Sequence, residues 1–185
     1  YAITWVVVPI TILLNFVYLI FVHKKISIKY IIVSAVILFV FALPLMLFLL
    51  VNANVIPEIT TNFISIPKLL QMRSGDISIK NLLKPESYVN LFNILIKEND
   101  GLIWNSTENF GLFYKISLPF IILGLAKTST TVWSQIKERK FSYETFILID
   151  FIFITIVCVC ISYLNVNRAN LLHFYTLMLL TIGLY

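Results

Sequence analysis

Residues 30–51 read YIIVSAVILFVFALPLMLFLLV, an unbroken apolar run with no charged side chain. An α-helix rises ~1.5 Å per residue, so about twenty such residues cross the ~30 Å hydrocarbon core of a bilayer. The apolar residues form a block rather than recurring at helical or strand spacing, which marks a bilayer-spanning helix. Working outward, four more apolar stretches follow the same logic: Ala2 to Val22, Leu112 to Ala126, Glu144 to Leu164, and Leu171 to Tyr185. Across all 185 residues, 59% are hydrophobic and only 12% charged, with mean hydropathy +0.93. Soluble domains carry roughly 25% charge, so this chain has too little to cover a water-facing surface. The expectation is an all-α integral membrane protein, a single polytopic domain of about five transmembrane helices.

The ends bear on this reading. Position 1 is Tyr, and the chain runs straight into an apolar span without a basic n-region or cleavage site. The last run stops at Tyr185 after about fifteen residues, short of a full crossing. The expectation is an internal or C-terminal piece of a longer membrane protein, its last span truncated.

Lysine and arginine set the orientation. Residues 23–29 hold Lys24, Lys25 and Lys29 with no acid, and residues 127–143 hold Lys127, Lys137, Arg139 and Lys140 against Glu138. Between spans two and three, residues 52–111 hold five basic residues (Lys68, Arg73, Lys80, Lys84, Lys97) against six acids (Glu58, Asp76, Glu86, Glu98, Asp100, Glu108), a net of −1. Single threading then places 23–29 and 127–143 in the cytoplasm and 52–111 and 165–170 outside. Thr131 to Phe141 is expected to lie flat on the inner leaflet, with Val132, Trp133 and Ile136 facing lipid and Lys137, Arg139 and Lys140 meeting head groups. The outer loop of about sixty residues is expected to contain a short amphipathic helix. Pro85 and Glu86 open it, Val89, Phe92, Leu95 and Ile96 form its apolar face, and Asn99-Asp100-Gly101 stops it.

The net charge of +5 is accounted for by the positive-inside bias, and no basic run with interleaved aromatics points to nucleic acid. No P-loop or H-E-x-x-H metal motif occurs, so no metal site is expected. Cys158 and Cys160, two apart on a helix, are read as packing residues. Asn105-Ser106-Thr107 matches a glycosylation sequon.

Several residues are candidates for chemistry. Asp150 and Asn15 are polar within apolar spans and define a possible intramembrane polar site; the alternative is interhelical hydrogen bonding. Arg168 stands where the last span enters the membrane, among Asn165, Asn167 and Asn170, with His173 about a turn further in. A guanidinium there offers a planar fork of donors to a lipid-linked phosphate, unless it merely anchors the helix. Lys68 and Arg73 are a second candidate anion pair. Asp76, Asp100 and Glu108 are candidate general bases.

Four strings carry a resemblance: Phe63 to Arg73 (FISIPKLLQMR), Asn99 to Asn105 (NDGLIWN), Ser117 to Phe120 (SLPF) and Asn167 to Asn170 (NRAN). In this order the chain from about Asn62 to Tyr185 resembles bacterial polytopic lipid-carrier-dependent glycosyltransferases, the superfamily of protein mannosyltransferases and aminoarabinose transferases. The resemblance implies transfer of a sugar from a polyprenyl-phosphate donor to an acceptor at the outer face of the bacterial plasma membrane. It implies no nucleotide cofactor, with membrane lipid and the lipid-linked sugar as partners. It matches Arg168 to an arginine that holds the carrier phosphate, and it places the catalytic acid upstream of Tyr1. The alternatives are a transporter or flippase fragment, with Asp150 and Asn15 lining the path, or a non-catalytic envelope protein. Sugar, acceptor and oligomeric state are not legible.

Overall fold

The computed structural model describes residues 2–23, 27–69, 77–97, 99–102, 104–105, 113–138, 140 and 142–185. The described chain is mostly helical and divides into two compact units, one of Tyr1–Lys24 with Asp76–Tyr185, the other of Lys25–Gly75.

The smaller unit is a long helix and a hairpin. Helix α2 spans Ile28–Asn52, and two short antiparallel strands, β1 (Ile59–Thr60) and β2 (Ser65–Ile66), follow it. Asn54 adopts a left-handed conformation (φ 60°) just past the helix, the geometry asparagine tolerates at a helix C-terminus. The Asn52 amide then serves both elements: it donates to the Phe48 carbonyl (2.9 Å) and accepts from the Leu69 backbone N–H (2.7 Å). The Thr61 hydroxyl closes the hairpin, donating to the Ile64 carbonyl and accepting from its N–H.

The larger unit is built on helix α1 (Ala2–Tyr18), which runs into a π-helical turn, Leu19–His23. It continues with a 3-10 turn at Ile79–Leu83 and helices α3 (Pro85–Leu95), α4 (Ser117–Glu138), α5 (Tyr143–Cys160) and α6 (Asn170–Leu184). Helix α5 runs against α1 and α6, because Asn15 and Tyr18 meet Asp150 and Thr145 while Tyr175 meets Asp150. Helices α4 and α6 run side by side in the same direction. Gly124 faces Gly183 so closely that a Cβ on either would collide with a backbone carbonyl, of Leu179 or Phe120. Small residues of this kind let two helix backbones touch. Thus residues 19–23, Glu138 and Ser142 share one end of the unit, and Asn165–Asn170 marks the other.

Helices α2 and α5 are long and apolar enough to cross a membrane, by length and composition; residues Val7–Phe21 and Asn170–Leu184 are shorter apolar helices. Three boundaries differ from the sequence reading. The third expected span is helix α4, Ser117–Glu138 rather than 112–126, so it runs through most of the expected polar loop at 127–143. The Ser129, Thr130 and Ser134 hydroxyls each bond a carbonyl three or four residues back, which lets a polar sequence remain helical. The fourth ends at Cys160, not Leu164. There Ile161 pairs with Ile77, and the Cys160 carbonyl accepts from the Ser78 N–H (2.9 Å) and the Asn81 amide (2.8 Å). These partners satisfy a carbonyl that the helix end leaves open.

The short helix at Pro85–Leu95 forms where the sequence places it, but on a different face. It buries Ser87, Leu91 and Ile94 while Val89 and Phe92 stay 56% and 51% exposed. Apolar residues lie on most sides of α3, so spacing alone does not select the face. Leu91 and Ile94 join the core of Ile154, Cys158, Val159, Ile161, Leu164 and Leu172, and Leu95 packs against it. Both cysteines are buried free thiols.

Candidate functional site

Two carboxylates organise the larger unit. Asp150, in the middle of α5, is 4% exposed. Its two oxygens each accept from the Asn15 amide of α1 at 3.0 Å, and one also accepts from the Tyr175 hydroxyl of α6 at 2.8 Å. One turn away, Tyr18 meets Thr145 (3.3 Å) and packs edge-on against Phe146. Three helices are thereby joined at one polar point inside an apolar bundle. The structure brings together Asn15 and Asp150, singled out in the sequence as isolated polar residues, and adds Tyr175. A signal for it exists: a tyrosine within an apolar helix carries a hydroxyl that needs a partner.

Asp100 organises the Asn165 end. Its carboxylate accepts from the Val166 backbone N–H (2.9 Å), the Leu102 N–H (3.0 Å) and the Asn105 amide (2.6 Å). The Asn105 carbonyl in turn accepts from Asn167 (3.2 Å). Partial burial pushes the Asp100 pKa up, but the three donors outweigh it and hold the carboxyl below its ordinary range. A carboxylate that accepts these three donors ties the Leu102 and Val166 backbones to one point. Asn105, the acceptor position of the sequon, has its amide engaged on both sides.

The pinned turn carries Arg168. Its backbone N–H donates to the side chain (2.9 Å) and carbonyl (3.0 Å) of Asn165, and the residue is half-buried. His173, a turn into α6, stacks edge-on with Phe113 at 6.0 Å, and its two buried ring nitrogens have no hydrogen-bond partner among the described residues. Beside this turn lies a cleft of about 320 Å³ lined by Asn90, Asn93, Ile94, Lys97, Asn99, Asp100, Gly101 and Leu164. Neither Arg168 nor His173 lines it.

The remaining candidates are elsewhere. Lys68 is exposed in the smaller unit, its backbone N–H donating to Glu58 (3.0 Å). Arg73, Asp76 and Glu108 lie outside the described residues, as do Lys24, Lys25 and Arg139. At the opposite end from Asn165, Lys137 lies over the Trp133 ring (5.0 Å), and Trp133 and Ile136 are exposed on α4. Among the described residues no group of three or more His, Cys, Asp or Glu is placed to hold a metal ion. Fold and site define a mostly helical chain with two helices fit to cross a membrane and two carboxylate-centred polar clusters. No family model, curated protein or solved structure matches it.

Proposed function

We propose that the chain is the carrier-binding part of a bacterial plasma-membrane glycosyltransferase. In this reading five helices span the bilayer, α1, α2, α4, α5 and α6, and the Asn165 end of the larger unit faces outside. Arg168 grips the phosphate of a polyprenyl-linked sugar, and the sugar passes to an acceptor at that face. The observation that carries the reading is the pinned turn. Asp100 and Asn105 fix Val166 and Asn167, the two residues that lead into Arg168. The Arg168 backbone is thus positioned before any ligand arrives, which lowers the ordering cost of gripping a phosphate. His173, a turn into α6, is a further candidate for the same anion.

The test is Arg168→Ala in the full-length protein, assayed in membrane vesicles with a polyprenyl-phosphate sugar. A charged hydrogen bond is worth about 1.5–3 kcal/mol, so transfer falls by about 10- to 100-fold with insertion intact. Unchanged transfer removes Arg168 from the site.

A second reading has one observation in its favour. Asp150 and Asn15 meet inside the bundle, as a translocation path through it would require. If the chain is a transporter or flippase, Asp150→Asn abolishes movement of substrate while Arg168→Ala does not.

A further inference from the structure

We infer that the cleft beside the Asn165 turn is a binding site for a sugar ring. Asn90, Asn93, Ile94 and Lys97 recur at i, i+3, i+4 and i+7, which brings them onto one stripe of α3 and its immediate continuation. Asn99, Asp100 and Gly101 form one edge, and Leu164 from the end of α5 contributes to the floor. The volume of about 320 Å³ falls at the small end of ligand clefts, which run from roughly 300 to 1,000 Å³.

The chemistry of the lining selects the ligand. Asp100, the acid in the wall, has both oxygens already engaged by three donors, which fix it as part of the wall. Asn99 likewise turns its side-chain oxygen to the Gly101 N–H (2.7 Å), closing the tight turn that Gly101 makes at φ 79°. That leaves the side chains of Asn90, Asn93 and Lys97. The Asn93 side-chain oxygen is buried with no hydrogen-bond partner among the described residues. Lys97 forms no ion pair among them; the pair they contain is Lys140 with Glu138. A buried, unpartnered acceptor is costly and calls for a ligand donor.

An ionised phosphodiester presents acceptors only and leaves the Asn93 side-chain oxygen unmatched, and inorganic phosphate offers fewer donors than a sugar ring. A sugar hydroxyl both donates and accepts, which suits amides that do the same. Ile94 and Leu164 offer apolar surface to the C–H face of a pyranose ring, and Lys97 offers a donor to its ring or exocyclic oxygens.

Binding stands on the cleft alone; its role as a donor or acceptor subsite rests on the transferase reading. The test uses the full-length protein in lipid nanodiscs and saturation-transfer NMR with methyl mannoside and methyl N-acetylglucosaminide, with glycerol and inorganic phosphate as competitors. Saturable pyranoside signal is expected, lost to neither competitor at equal concentration. It weakens at least about fivefold in Asn90→Leu and in Lys97→Met, the worth of one hydrogen bond each. Both positions lie at least partly at the surface, and thermal melting checks that the variants remain folded. No saturable signal, equal displacement by phosphate, or wild-type binding in both folded variants overturns the proposal. Failure of the transferase reading shows differently, as unaltered transfer in Arg168→Ala with pyranoside binding intact.

Discussion

Asp150 and Asp100 each accept three hydrogen bonds, yet they hold the protein in different ways. Asp150 is enclosed among helices and takes side-chain donors alone, from Asn15 of α1 and Tyr175 of α6. Asp100 sits in partly open surroundings and takes two backbone N–H groups besides the Asn105 amide. Helix backbones in an apolar bundle have no free donors, because each N–H is bonded within its own helix. Only side chains can meet a carboxylate there. At the bundle's end the backbone turns, N–H groups come free, and a carboxylate can fix a loop's path directly. The interior cluster therefore sets which helices neighbour one another, and the end cluster sets the course of the turn bearing Arg168.

The largest effect that separates them is expected from Asp150→Leu. It leaves the Asn15 amide and the Tyr175 hydroxyl without their acceptor in a water-poor place. Side-chain hydrogen bonds between helices in lipid contribute about 0.6–2 kcal/mol each, so losing all three costs roughly 2–6 kcal/mol. Unfolding in detergent or bicelles should show it as a lowered midpoint. Asp150→Asn retains an acceptor for Tyr175 and should lose less than half as much. If Asp150→Asn leaves stability near wild type but abolishes a transport activity, the cluster is a pathway rather than a clasp.

Asp100→Ala comes next and should act locally. Its bonds are partly screened by solvent, so each contributes about 1 kcal/mol or less. Amide exchange should quicken at Leu102 and Val166 while the bundle's midpoint moves little. The same bonds give a pH dependence. The folded Asp100 carboxyl titrates below its ordinary value of 3.8, so its contribution is complete above that value. It is lost as pH falls through the lower, folded value. Exchange at Val166 measured from pH 6 down toward pH 3 should therefore stay protected at first and rise only at the acid end. A rise centred near neutral pH would assign the protection to another group.

How much of this was legible in the sequence follows from the same contrast. Apolar blocks announce helices, and α1, α2, α5 and α6 begin within a few residues of their expected positions. The end of α4 was not legible because Lys127-Thr128-Ser129-Thr130-Thr131 reads as loop, whereas its hydroxyls can also bond back to their own helix. The buried face of α3 depends on which side meets α5, a fact of tertiary packing. Asn15 and Asp150 stood out as polar residues in apolar runs, but their partnership spans 135 positions and has no local signature. Gly124 and Gly183, each in a run of larger side chains, were a readable hint of a close helix crossing. Asp100 was visible as a turn acid; that its donors include an N–H sixty-six positions away was not.

The smallest effect probes the link between the two pinned segments. Asn105 donates to Asp100 and accepts from Asn167, so its amide requires a donor and an acceptor at once. Asn105→Asp keeps the shape but removes the donor and sets a second carboxylate against Asp100. Repulsion in this partly solvated place costs about 1 kcal/mol or less. It should fall away in high salt, since exposed charges are screened within a Debye length of ~10 Å at 0.1 M. Asn105→Ala removes both hydrogen bonds without adding charge, so its defect should not respond to salt. Comparing exchange at Val166 for the two variants in 0.05 M and 1 M salt separates these causes. If Asn105→Asp and Asn105→Ala both match wild type in both salts, Asp100 holds the Arg168 turn through the backbone alone, and the Asn105–Asn167 contact adds nothing to it.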